Sequence, residues 1–458
     1  MQTEILAAAG DKAHQENHQA DSDRPLLSSR RRTPTGVGNL IREPARMIRR
    51  SIALLLLGVF FLAPGCKRGE LDPIKVGVLH STSGTMMTSE TPVQEATLLA
   101  IEEINAQGGV LGRRLEPVPA DGGSDPVQFA KQAEKLVQEE GVVVIFGCWT
   151  SASRKSVIPV VRRNNHLLFY PVQYEGIEQS PYVVYTGATP NQQLIPGVMW
   201  AYENLGKRFF LVGSDYVYPH ISNQIARTQI EALGGEVVGE EYLLLGNRDC
   251  ESVVKKITES KPDVILNTLN GDVNQAFFEE LRAAGVSSED TPTLSLSLAE
   301  SSLQSMEIED VVGDYAAWSY FSTVESAANR KFVGAFKEKY GADRVTDDPM
   351  EAAYFGVYLW AQAAEQADSW EARDIRETIG DQSLSAPQGI VSIDPVTQHT
   401  WKTARVGRIK DTGQFEIVWT SLHPICPRPF PGYRSRETWD KDLSELFNRW
   451  SESWSNPG

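Results

Sequence analysis

From Leu71 onward, short runs of β-branched and aromatic residues alternate with stretches whose apolar positions recur every three or four residues. Residues 74–79 (IKVGVL) form the first such run and read as a strand. After a polar loop, Thr91-Pro92 opens a helix, because proline suits a first turn and Val93, Ala96, Leu99 and Ile104 share one face. Gly108-Gly109 stops it, 115–118 is a short strand, and Asp125-Pro126 caps a helix with the stripe Phe129, Ala133, Leu136 and Val137. The apolar run 142–146 then ends in Gly147, a turn Cys148-Trp149-Thr150-Ser151 leads into a helix, and strands follow at 167–170 and 183–185. Repeated β-α-β units predict a largely parallel sheet with helices on both faces.

The pattern restarts with a helix over 191–205, a strand over 208–212 and a strand-end loop at 213–216. Helices at 221–233, 249–260 and 273–284 alternate with strands at 236–242, 263–266 and 293–296, so a second α/β lobe is expected. Beyond it, 315–321 is extended and aromatic, and helices are expected at 327–340, 349–367 and 372–380. Strands at 390–393, 400–409 and 415–420 are separated by Asp-Pro and Asp-Thr-Gly turns. The Pro-, Arg- and Trp-rich stretch 426–458 reads as a surface tail.

A length of 458 residues suits two large lobes plus extras. A net charge of −16 argues against nucleic acid, which selects a basic face. Residues 1–46 read as disordered, or as an extension upstream of a start at Met47. Residues 47–66 read as an export signal: Arg49-Arg50, an apolar stretch over 52–63, then Gly65-Cys66. That stretch is about a dozen residues, short of the roughly 20 that span a bilayer. The placement of Cys66 resembles a bacterial lipoprotein signal, in which the cysteine is lipidated and anchors the protein to the membrane. Leu62 stands one place earlier than that pattern prefers, and a plain signal peptide is the alternative. Cys148, Cys250 and Cys426 form neither a disulfide framework nor a metal set.

In open α/β sheets ligands bind at the carboxyl ends of strands, where helix N-termini present free N–H groups. The turn at 148–151 is such a place, and Trp149, Thr150, Ser151 and Tyr170 are expected to face one small cleft. The segments 75–79, Ser81-Thr82-Ser83-Gly84 and GGVLGRRLEPV (108–118) resemble periplasmic binding proteins of the branched-chain amino-acid type. GCWTSASRK (147–155), LLFYPVQYEG (167–176), YTGATPNQQ (185–193), VGSDYVYP (212–219), NTLNGD (267–272) and DPMEAAY (348–354) resemble the urea and short-chain-amide branch. That branch includes the solute-binding components of urea ABC transporters and, as a cousin, a cytosolic amide sensor.

The resemblance runs from about 74 to 431. It implies an α/β fold of two Rossmann-like lobes with parallel sheets, joined by a three-stranded hinge, that close over a ligand. The lobes are expected at 73–189 with 319–385, and at 190–318 with 386–425. It also implies an ABC permease and ATPase as partners, no cofactor, and a pocket that uses Trp149, Ser151, Tyr170 and Tyr216. Trp149 replaces a tyrosine of the amide sensor, and Val172-Gln173 replaces its Thr-Pro. Both departures favour the transporter branch.

Urea is flat and neutral, with one carbonyl acceptor and four N–H donors, so its pocket needs a donor, several acceptors and flat walls. Trp149 supplies a wall, Ser151 a hydroxyl or merely a helix cap, and Tyr170 and Tyr216 a face and a hydroxyl each. Gln173, Asn191 and Gln192 are candidate acceptors. Glu351, opening a helix after Asp348-Pro349, either reaches the cleft or only caps. Asp215, Asn270 and Asp272 are weaker candidates. No dedicated site for an ammonium group is evident. His80, His166, His220, His399 and His423 are scattered, and HExxH, GxSxG and Ser-Ser-Lys patterns are absent, so the sequence does not read as an enzyme. A ligand-sensing receptor for short amides or branched-chain amino acids is the alternative.

Overall fold

The computed structural model describes residues 71–458, so the expectations for 1–46, for 47–66 and for Cys66 fall outside the described residues. The first lobe begins with β1 (Ile74–His80), α1 (Met87–Ala106), β2 (Leu115–Asp121), α2 (Pro126–Gln138), β3 (Ile145–Gly147), α3 (Ser151–Arg163), β4 (Leu168–Tyr170) and β5 (Val183–Tyr185). These strands make an all-parallel sheet in the order β2-β1-β3-β4-β5. The second lobe follows with α4 (Leu194–Asn204), β6 (Arg208–Ser214), α5 (Val217–Ala232), β7 (Glu236–Leu243), α6 (Glu251–Ser260), β8 (Val264–Thr268), α7 (Val273–Ala283), β9 (Thr293–Ser295), α8 (Glu300–Leu303) and β10 (Tyr315–Trp318).

The chain then returns to the first lobe with α9 (Ala327–Tyr340), α10 (Asp348–Ala367) and α11 (Ala372–Thr378), and α10 packs along α1. A separate small antiparallel sheet, β11 (Ser383–Ala386), β12 (Gly389–Ile393) and β13 (Thr400–Trp401), lies beyond α11. Finally β14 (Arg405–Ile409) and β15 (Phe415–Thr420) complete the second sheet, followed by α12 (Arg436–Arg449). The second sheet runs β15-β14-β10-β9-β8-β6-β7. It is mixed where a parallel sheet was expected, because β14 and β15 form an antiparallel hairpin and β14 joins β10 antiparallel.

The alternation along β6 shows why these strands sit between helical layers. Phe209 and Leu211 enter one apolar cluster with Ile225 of α5, while Phe210 and Val212 enter another with Phe277 of α7. A strand buried on both faces reads as a continuous apolar run, as RFFLV does. Helix α1 begins a turn earlier than the Thr91-Pro92 signal. Buried Met86 anchors the extra turn, accepting from the Ser89 and Glu90 amides, and Pro92 lies inside the helix. There Pro92 forfeits only one early ladder bond.

Residues 426–458 were expected as a surface tail and are instead built into the second lobe. Trp439, Leu443 and Leu446 form an i, i+4, i+7 stripe on α12 that joins the same cluster as Ile225. Trp439 is fully buried and its indole N–H donates to the Pro431 carbonyl at 3.0 Å. The high Pro and Arg content before it masked this stripe.

Candidate functional site

Each sheet has a switch point where strand order reverses, between β1 and β3 in the first lobe and between β6 and β8 in the second. Ligands of open α/β sheets bind outside the carboxyl ends of such strands. Chain leaving β3 carries Trp149, and chain leaving β6 and β8 carries Tyr216 and Asn270. Gly147 makes the first exit possible, because a Cβ there would lie 2.0 Å from the Leu79 carbonyl oxygen of β1. The two exits meet: the Trp149 indole N–H donates to Asn270 Oδ1 at 3.3 Å. Further bonds cross between the lobes, from Thr85 Oγ1 to Asp272 Oδ1 at 2.5 Å and from Gln173 Nε2 to the Leu296 carbonyl at 2.9 Å and to Ser297 Oγ at 3.3 Å.

The first-lobe side rests on a buried charge network. Thr150, not Ser151, caps α3, its hydroxyl accepting from the Ser153 amide at 3.0 Å. Ser151 donates its hydroxyl hydrogen to the Glu175 carboxylate and accepts from Arg154 Nη1 at 3.0 Å. Arg154 also donates to Glu175 at 3.2 Å and to Glu178 at 2.8 Å, and lies against the Tyr170 and Tyr174 rings, 4.7 and 4.5 Å from their centroids. Lys155 donates to Glu178 at 2.8 Å. Burial works against the Arg154 charge, but Glu178 and Glu175 outweigh it and hold the guanidinium protonated. Burial likewise opposes the Glu178 charge, and Arg154 with Lys155 outweighs it, so this carboxyl lies well below the usual range. Two cations and two anions cancel here.

The remaining candidates divide. Tyr170 is fully buried and donates its hydroxyl to the Trp149 carbonyl at 2.5 Å, which fixes the turn. Tyr216 is buried at the start of α5, beside the cleft. Gln173 uses its N–H group across the lobes, while its Oε1 is buried without a partner. Asp215 turns away to His220 at 2.7 Å and Asn456 at 2.6 Å. Glu351 also serves elsewhere: it is fully buried and accepts from the Gln388 amide at 3.2 Å and side chain at 2.8 Å. Burial, aided by Asp348 and opposed by Lys402, pushes its carboxyl up to about 7. Asn191 and Gln192 bind the carbonyls of Cys426, Thr400 and Ile425, so they brace the crossing segments.

Sequence reasoning missed three contributors. Tyr218, two residues after Tyr216, has its hydroxyl among Ser297, Gln173 and Ser222, buried and unpaired. Its proximity to Tyr216 in the VGSDYVYP segment was the available signal. Glu175 and Arg154 were the others, and Arg154, three residues after Ser151 on one helix face, could have been found by that spacing. Among the described residues, no group of three or more His, Cys, Asp or Glu could hold a metal ion.

A family profile described as a periplasmic binding protein domain matches residues 74–436. The chain belongs to this family. Among curated relatives, a Leu/Ile/Val-binding protein homolog of Brucella suis is 26% identical over 362 residues, covering 76% of this chain and 90% of the relative. A binding protein for leucine, isoleucine, valine, threonine and alanine from Pseudomonas aeruginosa is 22% identical and covers 70% and 86%. Among solved structures, a solute-binding protein of an ABC transporter from R. palustris, in complex with 4-hydroxybenzoate, aligns with a TM-score of 0.70 at 23% identity, over 77% of this chain and 98% of that one. A branched-chain amino-acid transporter component from Streptococcus pneumoniae, in complex with isoleucine, aligns at 0.67 and 23%, over 77% and 100%. The chain has the type I fold of these proteins, and Trp149, Gln173, Tyr216, Tyr218 and Asn270 lie on the segments that leave β3, β4, β6 and β8.

Proposed function

We propose that this protein is an extracytoplasmic solute-binding component of an ABC transporter, and that it takes urea or a short-chain amide into the interlobe cleft and hands it to a permease. In this reading the closing bodies are 73–189 with 319–401, since β11 to β13 pack with the first-lobe core, and 190–318 with 405–458, and Cys66 carries a lipid that holds the protein at the membrane. The observation that carries the reading is the kind of group left over at the cleft. Arg154, Lys155, Glu175 and Glu178 satisfy one another. The Gln173 Oε1 acceptor and the Tyr218 hydroxyl are buried and unpaired. Each unpaired buried group costs about 1–3 kcal/mol. An N–H of a neutral amide pairs the first, and its carbonyl accepts from the second. Trp149 leaves little room for a side chain.

The second reading is a carboxylate ligand, favoured by the amino acids and hydroxybenzoate named for its relatives. Calorimetry with urea, formamide, acetamide, leucine and 4-hydroxybenzoate separates the two. A urea constant near tens of micromolar is expected, from about 1.5 kcal/mol for each of roughly four heavy atoms. Heat with leucine or the benzoate and none with urea would refute the amide reading. Trp149→Ala should relax size selection, so that butyramide binds as well as urea; an unchanged preference would remove Trp149 as the wall. Cys66→Ser should release the protein from membranes, and continued retention would remove the anchor.

A further inference from the structure

We infer that residues 450–458 form a strap that positions the second-lobe binding loop and latches it to the first lobe, so that ligand residence depends on a segment outside both sheets. The inference rests on the cleft being the binding site, as proposed above.

The strap begins with an abrupt reversal. Helix α12 ends at Trp450, and Ser451 and Glu452 follow with φ of 56° and 62°, a left-handed conformation that non-glycine residues adopt only at a cost. Bonds from their amides to the Asn448 and Phe447 carbonyls hold the turn. The chain then runs back antiparallel to the exit of β6, where Ser455 bridges Tyr216. The Val217 amide donates to the Trp454 carbonyl at 3.0 Å, and the Asn456 amide donates to the Asp215 carbonyl at 3.1 Å. Asn456 Nδ2 adds a bond to Asp215 Oδ2 at 2.6 Å. Three consecutive residues, Asp215 to Val217, are thus held by the strap, and Tyr216 and Tyr218 are carried on that segment.

The same strap touches the other lobe. Trp454 packs on Phe447 of α12, with centroids 4.5 Å apart, and Lys155 of α3 places its ammonium 4.8 Å from the Trp454 ring centroid. Lys155 is the residue that pairs with Glu178 and Glu175 behind Ser151. The strap also walls a cavity of about 280 Å³ that Thr85 and Thr150 line from the first lobe and Asp215 and Tyr216 from the second. Opening the lobes separates Lys155 from Trp454 and uncovers this cavity, whereas the strap's bonds to Asp215 and Val217 travel with the second lobe. Trp454 is therefore a positioning residue that favours the closed state through Lys155, and Asn456 acts by holding the strap where Trp454 meets it.

The test uses the intact chain with Cys66→Ser and Cys426→Ser, and spin labels on Lys131→Cys of α2 and Lys255→Cys of α6. Without ligand, Trp454→Ala with Asn456→Ala should raise the ratio of long to short interlobe distances about tenfold, and Trp454→Phe should keep the parent distribution. With urea as the probe, stopped-flow dissociation should quicken about tenfold in the double variant. A double variant with the parent distance distribution overturns the strap. A parent that fails to bind urea overturns the amide reading alone, since the distance measurement needs no ligand.

Discussion

Replacing Arg154 by methionine asks how much the buried charge network contributes. Methionine keeps the length and can lie between Tyr170 and Tyr174 as the guanidinium does. Lys155 remains 2.8 Å from Glu178 and 3.6 Å from Glu175, so one of two cations is lost opposite two enclosed carboxylates. Removing one partner of a buried ion pair costs about 3–5 kcal/mol. A transition entropy of about 2 cal/mol/K per residue over roughly 390 ordered residues gives about 0.8 kcal/mol/K, so the melting temperature should fall about 4–6 °C at pH 7. Calorimetric melting or guanidinium is the assay, because urea is the proposed ligand and stabilises as it binds.

The pH dependence supplies the sharper check. The folded carboxyl of Glu178 lies below its unfolded value, so its stabilisation is present above the ordinary glutamate range and is lost as pH falls through the folded value. Without Arg154 this depression shrinks, so Glu178 takes up its proton at higher pH and its uncompensated charge disappears on acidification. The gap between parent and variant should therefore narrow as pH falls below the ordinary glutamate range. A gap that widens toward acid, or a fall under about 1 °C at pH 7, would refute the reasoning.

Glu300→Gln should stabilise. Burial, with Asp347 beside it, raises the Glu300 carboxyl to about 8. The folded state thus keeps a proton that the unfolded state releases, and stability falls as pH rises from the ordinary glutamate range to 8. Glutamine still accepts the Ser322 amide, so the unfolding free energy of the variant from guanidinium titration should exceed the parent's by about 2–4 kcal/mol at pH 8 and by little at pH 4; a variant weaker at pH 8 would contradict this. Trp439→Ala should cost about 3–5 kcal/mol and expose the 436–449 segment to protease, where a true surface tail would show neither.

The two sheets were legible because their strands are short apolar runs separated by stretches of helical period. RFFLV at 208–212 and the exit through Gly147 to Trp149 need only local chemistry to be read. The carboxylates that engage Ser151 and Arg154 were not legible, because Glu175 and Glu178 each lie 24 positions further along, on an irregular stretch that carries no period. For Glu351, helix-start chemistry gave two equal answers, and only the fold placed Gln388 against it. Asp215 had its fate decided by Asn456, which lies 241 positions away. Position on a strand end selects a neighbourhood, and long-range pairing then selects which side chains remain free for a ligand. Tyr218 was passed over for that reason: its neighbour Tyr216 has the same chemistry, and which hydroxyl ends up unpaired depends on Ser297 and Gln173.

The second sheet is finished by β14 and β15, and α10 reaches the first lobe only after β10 has been laid down in the second. Neither lobe has its full set of elements until the ribosome has made residues beyond 348, and the second lacks its edge until 420. Such distant pairings close slowly, because loop entropy must be overcome before the contacts form. A nascent chain of this layout stays without a complete lobe through most of its synthesis. Splitting the gene at residue 190 would leave the first sheet without α9, α10 and α11 and the second fragment with those helices unpacked, so co-expression of both halves should be needed before either resists protease.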